Sequence, residues 1–194
     1  MTGSRHAWGD RGITLIDVLI AVSIFITIAL GVAQLVAVAT RAVGMAREQT
    51  STIILAAAKM EQLRSLDWTY EPASPGVPGA PRSDRTSDVS HPRHAQNGAG
   101  LAPSPPGTLS TNTPLYVDYL DVSGRWVGHG SDLPASAVFI RRWAVLPLPD
   151  DPERTLLLQV LVTTVRDDRL RTSSWSGRTG TEALLVSVKT RLGQ

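Results

Sequence analysis

From Ile13 to Ala39 the chain is almost wholly apolar, with Thr14, Asp17, Ser23, Thr27 and Gln34 as its polar interruptions. A membrane-spanning helix needs about 20 such residues, so this run is long enough to cross a bilayer. After Thr40 the pattern turns amphipathic. Met45, Ile53, Ala56, Ala57, Met60, Leu63 and Leu66 recur mostly at three- and four-residue steps, while Arg47, Glu48, Lys59, Glu61, Gln62 and Arg64 take other faces. The two patterns join into one predicted helix from Ile13 to about Trp68, roughly 84 Å long. Gly31 and Gly44 are its weak points, each costing about 1 kcal/mol relative to alanine.

Between Thr69 and Pro114 the chain changes character: Pro72, Pro75, Pro78 and Pro81 alternate with Gly and Ser, and Pro103, Pro105 and Pro106 repeat the theme. That density of breakers predicts a loop without helix or strand, mobile and dispensable for folding. The remainder alternates as strands do. Leu115–Val122, Ala137–Leu146, Thr155–Val165 and Glu182–Arg191 are the predicted strands, three or four of them antiparallel and packed on the helix. In the third, Leu156, Leu158, Val160 and Val162 share a face; in the last, Leu184, Val186 and Val188 are expected to point inward. Asp150-Asp151-Pro152 supplies a turn, and Ser173 to Gly180 a polar loop carrying Trp175. The fold class is therefore α+β. Its segments are residues 1–12, the spanning half 13–40, the amphipathic half 41–68, the loop 69–114 and the sheet 115–194.

Composition narrows the chemistry. The 194 residues carry a formal charge of +2 and no cysteine, which removes a lipoprotein anchor, a disulfide framework and a thiolate metal site. There is no phosphate loop, no His-Glu-x-x-His and no Gly-x-Ser-x-Gly elbow, so no catalytic residue, metal or cofactor is expected. His91 and His94 flank a proline and an arginine without a third ligand, and read as solvated loop residues. Asp118, Asp121 and Asp132 lack calcium-loop spacing and read as solvated carboxylates. In Arg166-Asp167-Asp168-Arg169-Leu170-Arg171 the signs are mixed, which argues against a phosphate-binding stripe; nucleic acid is not an expected partner. Trp126 and Trp175 either anchor a partner or cap the sheet's own core.

Asp17 is the anomaly. A charge at the centre of a spanning helix costs roughly 2.5–3.5 kcal/mol, so an acid near the mouth of an uncharged apolar helix asks for a partner. If the chain were cut between Gly12 and Ile13, the new amine would lie four residues before Asp17, on the same helix face. Arg5 and Arg11, then Gly12, Ile13, Thr14-Leu15-Ile16, Asp17 and Val18-Leu19-Ile20-Ala21 resemble the N-terminal cleavage and methylation motif of type IV pilins and type II secretion pseudopilins. Two departures are visible. The acid is Asp where that family usually has Glu, and no proline occurs between Ile13 and Glu71. Ala56 to Arg64 resembles the end of the long helix in minor pilins and pseudopilins, and Arg141-Arg142-Trp143 a strand of theirs.

The resemblance implies cleavage after Gly12 by a prepilin peptidase, N-methylation of Ile13, and pairing of Asp17 with a neighbouring subunit's amine. It further implies a non-enzymatic inner-membrane subunit with its head in the periplasm. Its partners would be the peptidase and methyltransferase, other major and minor pilins or pseudopilins, an assembly platform and membrane lipid. Two other readings of the segment stand beside it. Ala37-Val38-Ala39 is a small-x-small triplet that would let signal peptidase release a soluble binding module starting at Thr40. Alternatively, the segment is a plain anchor. Positive charges do not orient it, with Arg5 and Arg11 before against Arg41 and Arg47 after.

Overall fold

The structure, a computed structural model, describes residues 14–70, 81–87, 98–173 and 181–191. It divides into two compact units, Met1–Gly44 and Met45–Gln194. Helix α1, Leu15–Ser65, starts in the first and ends in the second.

In the first unit every described residue is exposed, including Leu19, Phe25, Leu30 and Leu35. This helix is long and apolar enough to cross a membrane, and none of its apolar window is buried. Its hydroxyls are satisfied within the helix: Ser23 donates to the Leu19 carbonyl at 2.8 Å, Thr27 to Ser23 at 2.9 Å and Thr40 to Val36 at 2.9 Å. Such back-bonding removes the donors that an apolar solvent could not satisfy.

In the second unit α1 buries a single stripe, Thr52, Ala56, Lys59, Met60 and Leu63, at three- and four-residue steps. Met45, Ile53 and Ala57 are exposed, contrary to the sequence expectation, and Lys59 occupies the core. The reason is angular: each residue turns the helix by about 100°, so Ile53 and Ala57 fall beside the stripe begun by Thr52 and Ala56.

Five antiparallel strands form the main sheet. They are β3 (Val117–Leu120), β4 (Trp126–His129), β5 (Phe139–Pro147), β6 (Thr155–Thr164) and β7 (Ala183–Thr190), in the order β4-β3-β5-β6-β7. Register assigns the faces. Trp143 lies opposite Val160, which lies opposite Leu185; Val145, Leu158 and Ser187 form the next row. That face joins Ala56, Met60 and Leu63 in the larger core, while Val117, Tyr119 and Ile140 form a smaller one on the other face. Full burial of each large apolar side chain contributes about 1.5–3 kcal/mol.

The predicted face of Leu156, Leu158, Val160 and Val162 is the buried one. For β7 the expectation is inverted. Leu185 packs against the core, whereas Val186 and Val188 are 55% and 57% exposed. A strand at the sheet's edge need not bury both faces, and here the inward face is set by Leu185 and Lys189 rather than by the valines.

The proline-rich segment also departs from expectation. Trp68–Tyr70 (β1) and Pro81–Ser83 (β2) pair antiparallel, with Pro81 at the first position of its strand, where a missing N–H is tolerated. Residues 98–114 are packed: Leu101 is buried in the core, and Ser104 N–H donates to the Val145 carbonyl at 2.9 Å. A side chain at Gly98 would collide with Ser87 and Trp143. Finally, β6 gives way directly to a second helix, α2 (Val165–Ser173), where the sequence had suggested only a charged run.

Candidate functional site

Asp17 lies in the first turn of α1. Thr14 immediately precedes the helix, and its N–H and hydroxyl donate to one Asp17 carboxylate oxygen at 3.1 and 2.5 Å. The Asp17 N–H approaches the Thr14 hydroxyl at 3.4 Å. This reciprocal Thr-x-x-Asp arrangement satisfies donors that the first helical turn leaves open, and a negative charge there suits the helix dipole. Among the described residues no cation pairs with Asp17, whose carboxylate there meets hydrogen bonds alone.

A second carboxylate lies at the opposite extreme of environment. Asp118, on the inward face of β3, is fully buried rather than solvated. Arg141, its cross-strand neighbour on β5, donates to its two oxygens at 2.8 and 2.7 Å. Lys59 reaches it from α1 at 3.5 Å while donating to the Ser87 carbonyl at 3.0 Å and lying 3.9 Å from the centre of the Trp143 ring. Burial by itself pushes the Asp118 carboxyl up. The charges of Arg141 and Lys59, with the hydrogen bonds from both, overcome that and hold it below the usual carboxylate range. Lys59 is also wholly inaccessible, so this cluster fixes the docking of α1 on the sheet rather than meeting a substrate.

Arg142, next in sequence, points to the other face. Its guanidinium takes both oxygens of Asp168 on α2 at 2.7 and 3.0 Å and the Asn112 side-chain oxygen at 2.7 and 3.0 Å. The mixed-charge run is therefore divided. Asp168 holds α2 to the sheet and Asp167 accepts from Thr181, while Arg166 and Arg169 are exposed. At the far end of α1, Lys189 donates to the carbonyls of Arg64 and Leu66, capping the helix with a cation.

Gly12 and Ile13 lie outside the described residues, as do His91, His94 and Trp175. Trp126 is partly buried against the larger core. Asp121 accepts from the N–H groups of Ser123 and Arg125 in the β3–β4 turn, and Asp132 is exposed. Among the described residues no three His, Cys, Asp or Glu side chains gather as a metal site. The Lys59–Asp118–Arg141 cluster escaped sequence reasoning because its members are 59 and 23 residues apart. The apolar pattern placed Lys59 on another face of the helix, whereas the structure buries it beside Ala56 and Met60.

Comparison with family models, curated proteins and solved structures finds no match to this chain.

Proposed function

We propose that this chain is a non-enzymatic minor pilin or pseudopilin: an inner-membrane subunit, cleaved after Gly12, whose exposed apolar helix enters a filament. The single observation that carries the reading is Asp17 in the first turn of a helix whose apolar run is exposed throughout, without a cation of its own among the described residues. Lipid would surround that helix in the monomer, and neighbouring helices would replace lipid on assembly. An unpaired carboxylate in such surroundings costs several kcal/mol, which makes a neighbour's terminal amine a favourable partner. The packed second unit would be the periplasmic head. Intact-mass measurement on protein extracted from membranes tests this. A mature chain starting at Ile13, one methyl heavier than the bare sequence, is expected; a start at Thr40 or an uncut Met1 contradicts it.

The Thr14 cap favours a second reading, in which Asp17 merely starts the helix of a plain membrane anchor and the head is an extracytoplasmic binding module. Co-purification of the wild-type chain with sheared filaments separates the two: a subunit is expected there, and a plain anchor is expected to be absent from them.

A further inference from the structure

At one end of the second unit a cavity of about 800 Å³ opens between α1, α2 and the strand ends. The pairings Leu120–Phe139 and Phe139–Thr164 show that β3, β5 and β6 reach this end together. From α1 the cavity is lined by Arg47, Glu48 and Ser51. Val122 and Val138 form part of the apolar wall and are 78% and 37% exposed. Arg47, Arg166 and Arg169 stand around it against one acid, Glu48. All three arginines are exposed, and none forms an ion pair among the described residues.

We infer that this cavity is a site for the headgroup of an anionic phospholipid. Charge complementarity is the first argument: three guanidiniums offer forked donors to a phosphodiester, and the apolar wall suits the glycerol and upper acyl carbons. Position along the chain is the second, and it rests on residues 13–40 spanning the bilayer. Arg47 follows Ala39 by eight residues, about 12 Å of helix. The headgroup layer extends about 5–8 Å beyond the hydrocarbon, and an anionic surface attracts cations for roughly a further 8 Å. The site would hold the head against the membrane until assembly withdraws the subunit.

Because the chain has no cysteine, Val122→Cys in the full chain accepts a single environment-sensitive fluorophore at the cavity wall. The labelled protein is reconstituted in vesicles of phosphatidylcholine alone or mixed with phosphatidylglycerol, and flotation scores insertion separately. A blue shift with phosphatidylglycerol only is expected. Replacing Arg47, Arg166 and Arg169 by glutamine should weaken that preference roughly fivefold per arginine removed, and replacement by lysine should recover only part of it, because an ammonium keeps the charge but lacks the fork. Insertion with equal spectra in both lipids, or a shift indifferent to the glutamines, overturns this inference alone. A shift that follows protein concentration instead of lipid charge marks a second copy as occupant and also overturns it. Failure to float in either vesicle overturns the membrane reading and this site with it.

Discussion

Asp17 and Asp118 are both carboxylates set among apolar residues, and the protein treats them in opposite ways. Asp118 is enclosed by the fold and meets two cations from distant parts of the chain, so its charge is neutralised by groups that only folding brings together. Asp17 receives hydrogen bonds from Thr14, three residues away, and no counter-charge among the described residues. Hydrogen bonds orient a carboxylate; they do not cancel its field. Asp118 is thus neutralised within one molecule, whereas Asp17, among the described residues, has hydrogen bonds alone. On the account proposed here, its counter-charge comes from a neighbouring pilin subunit.

The sharpest way to break this contrast is to exchange consequences between the two sites. Asp118→Asn leaves Lys59 and Arg141 buried without their counter-ion and should cost the head about 3–5 kcal/mol, read as a lowered denaturant midpoint. Its pH dependence sharpens the point. Because the folded carboxyl is held below its unfolded value of about 3.9, its contribution is complete above that pH. It is lost as pH falls through the lower folded value. The wild-type head should therefore lose stability below about pH 4, and the asparagine variant should lack that part of the slope.

Lys59→Met keeps the stem but removes one of the two cations and the donor to the Ser87 carbonyl. A loss of about 1–3 kcal/mol is expected, smaller than for Asp118 because Arg141 still pairs the acid. Lys189→Met should cost about 0.3–1 kcal/mol, since it uncaps the Arg64 and Leu66 carbonyls at a partly exposed helix end. Smallest for the head is Thr14→Ala. It should loosen only the first turn of α1, by about 0.5–2 kcal/mol locally, seen as faster exchange of the Asp17 and Val18 amides with no change in head melting.

Much of this contrast was legible in the sequence on one side and hidden on the other. Local periodicity exposed the apolar helix, Asp17 and the buried face of β6, because each rests on neighbours within a turn or two. It failed where distant chain segments decide. Asp118 sits in an alternating strand, but nothing in Val117-Asp118-Tyr119 says that Lys59 and Arg141 will face it. The valines of β7 read as core because alternation finds two faces without saying which is covered; the need to present Lys189 to the end of α1 settled it. α2 was hidden because Arg166 to Arg171 has no apolar stripe, its docking being carried by Asp168 on Arg142. Leu101 and Gly98 pack into the head although their proline-rich surroundings suggested a free loop.

The claim that Asp17 is reserved for another subunit is tested most directly by comparing Asp17→Asn with wild type for the fraction of membrane protein that co-purifies with sheared filaments, with head melting measured on the same preparations. The account predicts normal insertion and cleavage, head stability within about 0.5 kcal/mol of wild type, weakened incorporation, and recovery in Asp17→Glu. Incorporation of the asparagine variant at the wild-type level contradicts it: helix packing or head contacts would then drive docking, and Asp17 would be only the cap that Thr14 makes of it.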